Sequence, residues 1–328
     1  MLKRFCYVMY ALLCLSMTSC EEIIEIDAPD FVSNAIVFQG VVTNERPPYF
    51  FRLTRPVGIS EDNKSYYQGI DDAMVVVTDV TEGVRDTMKL IKGYPGDRGI
   101  YYDYYNYDTE KNEHSGINGM YEYACNGMYV TTKIYGIEGH SYSLDIYYDG
   151  KHFESDVQKM EPALVITDLK SKKVDLGEKG IRLAPCISFL NPPGDNYYLF
   201  YEYAYSYTNY TLSRPAAIFA GRETWLYSIL SDKYLEENVV DFIIDDGENP
   251  LGYPSGWNYV SGDSLYVWAQ TISKSCYDVF DQMIMQFRTD GGAYTPTPTS
   301  IKGNISGGVY GCFRVSAASE KWILAERN

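Results

Sequence analysis

The amino-acid sequence predicts a mainly β protein of 328 residues. Short runs rich in β-branched and aromatic residues recur along most of the chain, and clusters of Gly, Pro and Asn separate them. Tyrosine, whose ring packs on a pleated sheet while its hydroxyl reaches water, accounts for 33 residues. One segment near the C-terminus has the apolar spacing of a helix. These three observations predict sheets throughout the chain and one amphipathic helix.

The first 19 residues predict a lipoprotein signal peptide. Lys3 and Arg4 precede a mostly apolar run, residues 5–15, that is too short to span a bilayer as a stable helix. The run leads to Met17-Thr18-Ser19-Cys20, which resembles a bacterial lipobox. Cys20 is therefore predicted to carry a lipid. An ordinary secretory signal with a coincidental cysteine is the alternative.

Residues 20–34 are predicted to be an acidic tether between the lipid and the fold, because this stretch is polar and is broken by Pro29. Its first acidic pair, Glu21-Glu22, resembles the signal that sends Bacteroidetes lipoproteins to the outer face of the outer membrane. We therefore expect a protein that is lipid-anchored in the outer membrane and faces the cell exterior.

The net charge argues against nucleic acid as a partner. The chain has 28 Lys and Arg against 44 Asp and Glu. Loss of Lys3 and Arg4 with the signal peptide leaves 26 against 44, a net charge of about −18. This much negative charge opposes binding to nucleic acid and to anionic lipid headgroups.

Residues 35–160 are predicted to form the first folded domain. A β-branched run at 35–43, a turn, and an alternating run at 49–54 predict a hairpin. Further strands are predicted at 73–80, 86–91, 100–105, 128–135, 142–148 and 152–157. So many short strands without a helical segment predict an immunoglobulin-like or transthyretin-like β-sandwich.

Glu161-Pro162 is the predicted boundary to a second β-sandwich domain, residues 161–328. Strands are predicted at 163–169, 181–190, 196–207 and 263–272, and residues 191–195 form a turn between the second and the third.

The predicted helix follows, with Ser275 as its cap and an apolar stripe that faces a core. The stripe consists of Cys276, Val279, Phe280, Met283, Ile284 and Phe287. Residues 305–315, with three glycines, predict a bulged or closely approached strand.

Besides Cys20, the mature chain has four cysteines: Cys125, Cys186, Cys276 and Cys312. Their long, irregular spacing and the absence of C-x-x-C argue against a zinc site. In an oxidising compartment they allow up to two disulfides with three connectivities. Buried thiols are the alternative, because each cysteine lies in an apolar context.

The sequence contains no catalytic motif, and we therefore predict that the protein is not an enzyme. His114, His140 and His152 are its only histidines, and they are predicted to be solvated residues of polar loops and turns. Neither G-x-S-x-G nor H-E-x-x-H occurs. A hydrolase whose site has no recognisable motif stays as a third hypothesis.

One acidic loop carries the type of ligand that Ca²⁺ prefers. Asp245, Asp246 and Glu248 surround Gly247 with carboxylate oxygens. The loop lacks the alternating order and the distant Glu of an EF-hand, so a solvated loop is the alternative. We predict no other cofactor.

Exposed aromatic residues are the main indication of a binding surface. Trp257 lies in a Gly/Pro-rich loop between Tyr253 and Tyr259, and Trp225 lies in another aromatic segment. These four side chains are predicted to stack on sugar rings or to form a protein interface. Trp268 alternates within a predicted strand and is expected in the core.

Four segments together resemble the DUF4249 family of Bacteroidetes lipoproteins, and the likeness covers nearly the whole mature chain. They are the lipobox with Glu-Glu-Ile-Ile-Glu-Ile-Asp-Ala-Pro, residues 36–54, residues 191–199 and residues 298–313. The family has no established catalytic residues. Its members are commonly encoded beside TonB-dependent outer-membrane receptors.

The resemblance implies a binding or accessory subunit of a TonB-dependent nutrient uptake system, with a β-barrel receptor as its partner. A structural or adhesive surface protein is the alternative from another class. The sequence does not distinguish a glycan from a peptide or a metal complex as the ligand.

Overall fold

The computed structural model describes residues 35–55, 68–91, 94–96, 99–107, 109–118, 126–175, 181–205, 227–244, 264–288, 301 and 303–324. Within these ranges the chain forms mainly antiparallel sheets and one helix, so the predicted mainly β fold is confirmed. No helix in them is long and apolar enough to cross a membrane. The immunoglobulin-like or transthyretin-like topology and the domain boundary at Glu161 stay predictions.

The first sheet contains β1 (Val37–Thr43), β2 (Phe50–Arg55), β3 (Gln68–Gly69), β6 (Lys89–Leu90), β10 (Met128–Val130) and β20 (Arg314–Ser316). Its strand order is β20-β1-β2-β10-β6, with β3 paired to β2. The predicted hairpin is confirmed, because β1 and β2 pair antiparallel with Phe38 opposite Leu53.

The second sheet contains β4 (Met74–Asp79), β5 (Val84–Thr87), β11 (Ser141–Tyr148), β12 (Lys151–Glu154) and β13 (Gln158–Lys159). Its strand order is β12-β11-β4-β5, with β13 paired to β11. A separate three-stranded sheet contains β7 (Tyr94–Gly96), β8 (Gly99–Asn106) and β9 (Lys111–Asn118).

The first core takes apolar side chains from both of the larger sheets. Alternation places Val75 and Val77 of β4 and Leu144 and Ile146 of β11 on the same inward face. From the first sheet and the C-terminal segment, three phenylalanines meet edge to face with centroids 5.4 to 6.4 Å apart. They are Phe38, Phe51 and Phe313.

The C-terminal segment thus completes a core that is built mainly by residues before 161. Phe313 and Val315 belong to this core, and β20 pairs parallel with β1. This contact is not predictable from the sequence, because pairing across more than 260 residues leaves no local pattern.

Two further sheets form in the second half of the chain. The first has the order β14-β15-β18, from β14 (Val165–Asp175), β15 (Ile181–Leu190) and β18 (Asn238–Ile243). The other has the order β17-β16-β19-β21, from β16 (Tyr197–Tyr205), β17 (Tyr227–Ser231), β19 (Ser264–Ile272) and β21 (Ala318–Leu324). A second core takes Phe189 from the first and Phe200 and Val267 from the other.

Helix α1 (Lys274–Arg288) packs on the opposite face of the β17-β16-β19-β21 sheet. The predicted stripe is confirmed where its side chains are described: Cys276, Val279 and Phe280 are buried with Leu199 and Ile272. Phe287 lies outside the described side chains.

The predicted helix cap is wrong by two residues. The helix begins at Lys274, so the preceding residue, Ser273, occupies the cap position. The backbone N–H of Cys276 donates to Ser273 Oγ at 3.4 Å. Ser275 lies inside the first turn.

The predicted strand at 305–315 is also wrong for most of its length, because only Arg314–Ser316 forms a strand. Gly307, Gly308 and Gly311 have φ values of 70°, 79° and 96°, which break a regular strand. The predicted close approach does occur, because a Cβ on Gly311 would overlap the carbonyl oxygen of Phe38.

Candidate functional site

Four aromatic side chains line one face of the β17-β16-β19-β21 sheet. In β19, alternation directs Leu265 and Val267 into buried cores and leaves Tyr266 and Trp268 on the face that also carries helix α1. Strand register then places Tyr201 of β16 opposite Trp268, and Trp322 of β21 opposite Tyr266. We call Tyr201, Trp268, Tyr266 and Trp322 the aromatic row.

The aromatic row runs from a closed end to an open end. Tyr201 and Trp268 lie with ring centroids 5.0 Å apart and planes at 33°. Tyr266 and Trp322 stack with centroids 6.0 Å apart and planes at 28°. Trp268 is 8% exposed, whereas Trp322 is 56% exposed. The row is therefore open to solvent at the Trp322 end.

The closed end of the aromatic row contacts a buried guanidinium group. Nη1 of Arg314 donates to the hydroxyl of Tyr201 at 3.3 Å. Its Cζ lies 5.4 Å from the centroid of the Phe280 ring, within the range of a cation–π contact. These contacts hold Tyr201 between the sheet and the helix.

Arg314 also lines an apolar cavity of about 250 Å³. The cavity lies between β1, helix α1 and the segment before β20, so three distant parts of the chain form it. Its lining includes Phe38, Phe280, Met283, Ile301, Tyr310 and Cys312. A space of this size accommodates only a small apolar group.

Three side chains of the type that binds metal ions lie close together elsewhere in the described residues. Single ligand atoms of Asp145, His152 and Glu154 all lie within 4.8 Å of one another on the β11–β12 pair. His152 Nε2 and Asp145 Oδ1 are 2.7 Å apart, and the His152 ring stacks on Tyr147 with centroids 4.4 Å apart. This hydrogen bond and this stacking explain the arrangement without an ion.

The prediction that the histidines are solvated loop residues is wrong for His140. Its Nδ1 lies 2.9 Å from Oδ2 of Asp79, and both side chains are mostly buried. The other oxygen of Asp79 accepts from the N–H groups of Thr81 and Glu82 in the β4–β5 turn. His114 lies in β9 and not in a loop.

All the site residues that the sequence predicted lie outside the described residues. They are Cys20, Trp225, Asp245, Asp246, Glu248, Tyr253, Trp257 and Tyr259. Trp268 is buried, as predicted.

Tyr266 and Trp322 are not among the aromatic site residues predicted from the sequence. Tyr266 lies inside a correctly predicted strand, and its alternation with Leu265 and Val267 is a signal that places it on the opposite face of that strand. No strand was predicted for residues 318–324, so nothing placed Trp322 beside Tyr266.

Comparison with known proteins identifies one family. The family model described as "Domain of unknown function (DUF4249)" matches residues 21–322. No curated protein matches this sequence.

Proposed function

Because the chain belongs to the DUF4249 family, we propose that it is an outer-membrane lipoprotein that binds a ligand for a TonB-dependent uptake system. Cys20 carries the lipid, and the protein faces the cell exterior. Its partner is a β-barrel receptor of the outer membrane. The stack of half-buried Tyr266 and exposed Trp322 is the observation that carries the binding role.

The chemistry of the aromatic row favours a carbohydrate ligand. The flat faces of Tyr266 and Trp322 pack against the C–H groups of a sugar ring, and neighbouring polar groups bond its hydroxyls. Glu320, opposite Trp268 on β21, supplies an exposed carboxylate beside the rings. Strands about 4.8 Å apart place the rings of neighbouring strands under one or two sugar units.

The receptor association is tested by an affinity pull-down. The native lipidated protein serves as bait in detergent-solubilised outer membranes. Recovery of a large β-barrel receptor in near-equal amount supports the accessory role. A bait that returns alone contradicts a stable complex.

The lipid anchor is tested by metabolic labelling with an alkyne fatty acid. The Cys20→Ser variant is expected to lose the label and to leave the membrane fraction. Cys14→Ser, a substitution within the predicted signal peptide, is the matched control and keeps the label. Label that persists in Cys20→Ser contradicts the anchor.

One observation favours the structural or adhesive alternative. Trp322 and Leu324 are both more than half exposed and lie on the same side of β21, the edge strand of its sheet. Exposed apolar groups at a sheet edge also suit contact with another protein. Under this alternative, Trp322→Ala impairs cell attachment, and neither the native protein nor the variant binds carbohydrate.

A further inference from the structure

Two cysteine thiols meet beneath helix α1. Cys276 is the third residue of the helix and is fully buried, and Cys312 is 8% exposed. Both belong to the core between the helix and the sheet, and their side chains are hydrogen-bonded. They are 36 positions apart in the sequence, so the contact is tertiary.

Backbone and side-chain contacts fix both thiols in place. Sγ of Cys276 lies 3.5 Å from the carbonyl oxygen of Phe313, the residue after Cys312. The amide of Asn304 donates to that carbonyl at 2.9 Å and accepts from the Phe313 N–H at 2.8 Å. Because Phe313 is anchored in the first core, Cys312 is held against the helix.

The surroundings favour the reactive form of one thiol. Burial alone raises the pKa of the Cys276 thiol, but hydrogen bonds from Cys312 and Ser273 and the charge of Arg314 outweigh it. The net effect lowers the pKa of Cys276, and the thiolate is the form that attacks a disulfide.

Cys186 has a different environment. It lies in β15, and the charged groups that act on it are Asp241, Lys172, Lys170 and Asp168, whereas Arg314 is the charged group that acts on Cys276. Burial raises the pKa of its thiol. Of the three connectivities that the sequence allows, this geometry favours the one that pairs Cys276 with Cys312; Cys125 lies outside the described residues.

We propose that Cys276 and Cys312 form a disulfide in the exported protein. A small disulfide such as oxidised glutathione, or a disulfide-carrying oxidoreductase, is the oxidant. One cysteine thiolate attacks it and releases one thiol as a mixed disulfide forms. The second cysteine then displaces the other thiol. The two protein sulfurs lose two protons and two electrons, and the oxidant is reduced to two thiols.

The bond links two parts of the fold. It joins the first turn of helix α1 to the segment that carries Phe313 into the first core. It also fixes one wall of the apolar cavity, because Cys312 lines that cavity. The proposal rests on export to an oxidising compartment, which is part of the proposed function.

Peptide mapping tests the pairing. The full-length protein is isolated from its own cells with an alkylating agent present, and is digested with trypsin without reduction. Cleavage after Lys and Arg places Cys276 in residues 275–288 and Cys312 in residues 303–314. We expect these two peptides to be linked, and reduction to separate them. Cys276→Ser and Cys312→Ser each abolish the link, whereas Cys186→Ser preserves it.

A second measurement tests the disulfide without depending on export of the protein. The purified chain is unfolded in urea, reduced, and refolded in a glutathione redox buffer. The linked peptides are expected again, with a Tm on the order of 5 °C above that of the reduced protein. If Cys276 and Cys312 are alkylated both in the protein isolated from cells and in the refolded protein, the proposal is overturned. A disulfide that is found in the refolded protein but not in the protein isolated from cells supports the pairing of the two cysteines and contradicts export to an oxidising compartment.

Discussion

Tyr266 and Trp322 stack across two neighbouring strands, although 56 positions separate them in the sequence. The planes differ by 28°, and Trp322 keeps more than half of its surface exposed. Antiparallel register positions the two rings, and the buried opposite face of the sheet prevents a shift of one residue. The fold itself therefore sets the positions of the two rings.

Two glycines of the C-terminal segment allow a matched test of close approach. Gly311→Ala is expected to lower the free energy of unfolding by roughly 3 kcal/mol, because the new Cβ meets the Phe38 carbonyl and φ is positive. Gly308→Ala is the control, since it also has a positive φ but has open space around it. Its expected cost is about 1 kcal/mol. Urea unfolding measures both, and equal costs contradict the close approach.

The helix cap is tested by two serine substitutions. Ser273→Ala removes the oxygen that accepts from the Cys276 N–H and is expected to destabilise the protein by about 1 kcal/mol. Ser275→Ala, inside the first turn, is expected to cost less, because alanine favours a helix. Thermal unfolding of both variants distinguishes them. If Ser275→Ala lowers the stability more than Ser273→Ala does, Ser275 is the cap, as the sequence predicted.

Two buried tyrosines predict a loss of stability at alkaline pH. Burial raises the pKa of Tyr129 and of Tyr142 to about 12, although a backbone N–H bonded to each hydroxyl lowers it in part. The unfolded chain ionises them near pH 10, while the folded chain keeps both protonated up to about pH 12.

Each tyrosine contributes on the order of 2 kcal/mol to the free energy of unfolding. This contribution is complete below pH 10 and is lost as the pH rises toward 12. Urea unfolding at a series of pH values measures this loss, and phenolate absorbance follows the ionisation. Tyr142→Phe is expected to flatten the alkaline decline. If both side chains ionise near pH 10 in the folded protein, the predicted alkaline loss of stability is contradicted.

Local patterns predicted the strands and the helix more successfully than the contacts between them. The strand at Ile181–Leu190 has the predicted bounds, and the helical stripe at Cys276, Val279 and Phe280 faces a core. Both follow from periodicities of two and 3.6 residues, which a short window contains. Gly194, with a φ of 112°, confirms the predicted turn after that strand.

Features that depend on distant pairing were not predictable. The parallel contact of β20 with β1 and the stack of Trp322 on Tyr266 depend on register between separate strands. The meeting of Cys276 and Cys312 depends on the fold in the same way, so the sequence left three connectivities open. The sequence placed the binding surface in the loops around Trp225 and Trp257, which lie outside the described residues.

A glycan array tests the binding role of the aromatic row most directly. The chain without its signal peptide is applied beside Trp322→Ala, Tyr266→Ala and the control Tyr234→Ala. Tyr234 is 87% exposed and lies in the turn after β17, away from the row. We predict carbohydrate binding by the native chain and by the control, and a loss of about tenfold or more in affinity for the two row variants. An array without signal, or binding that Trp322→Ala leaves unchanged, contradicts the account.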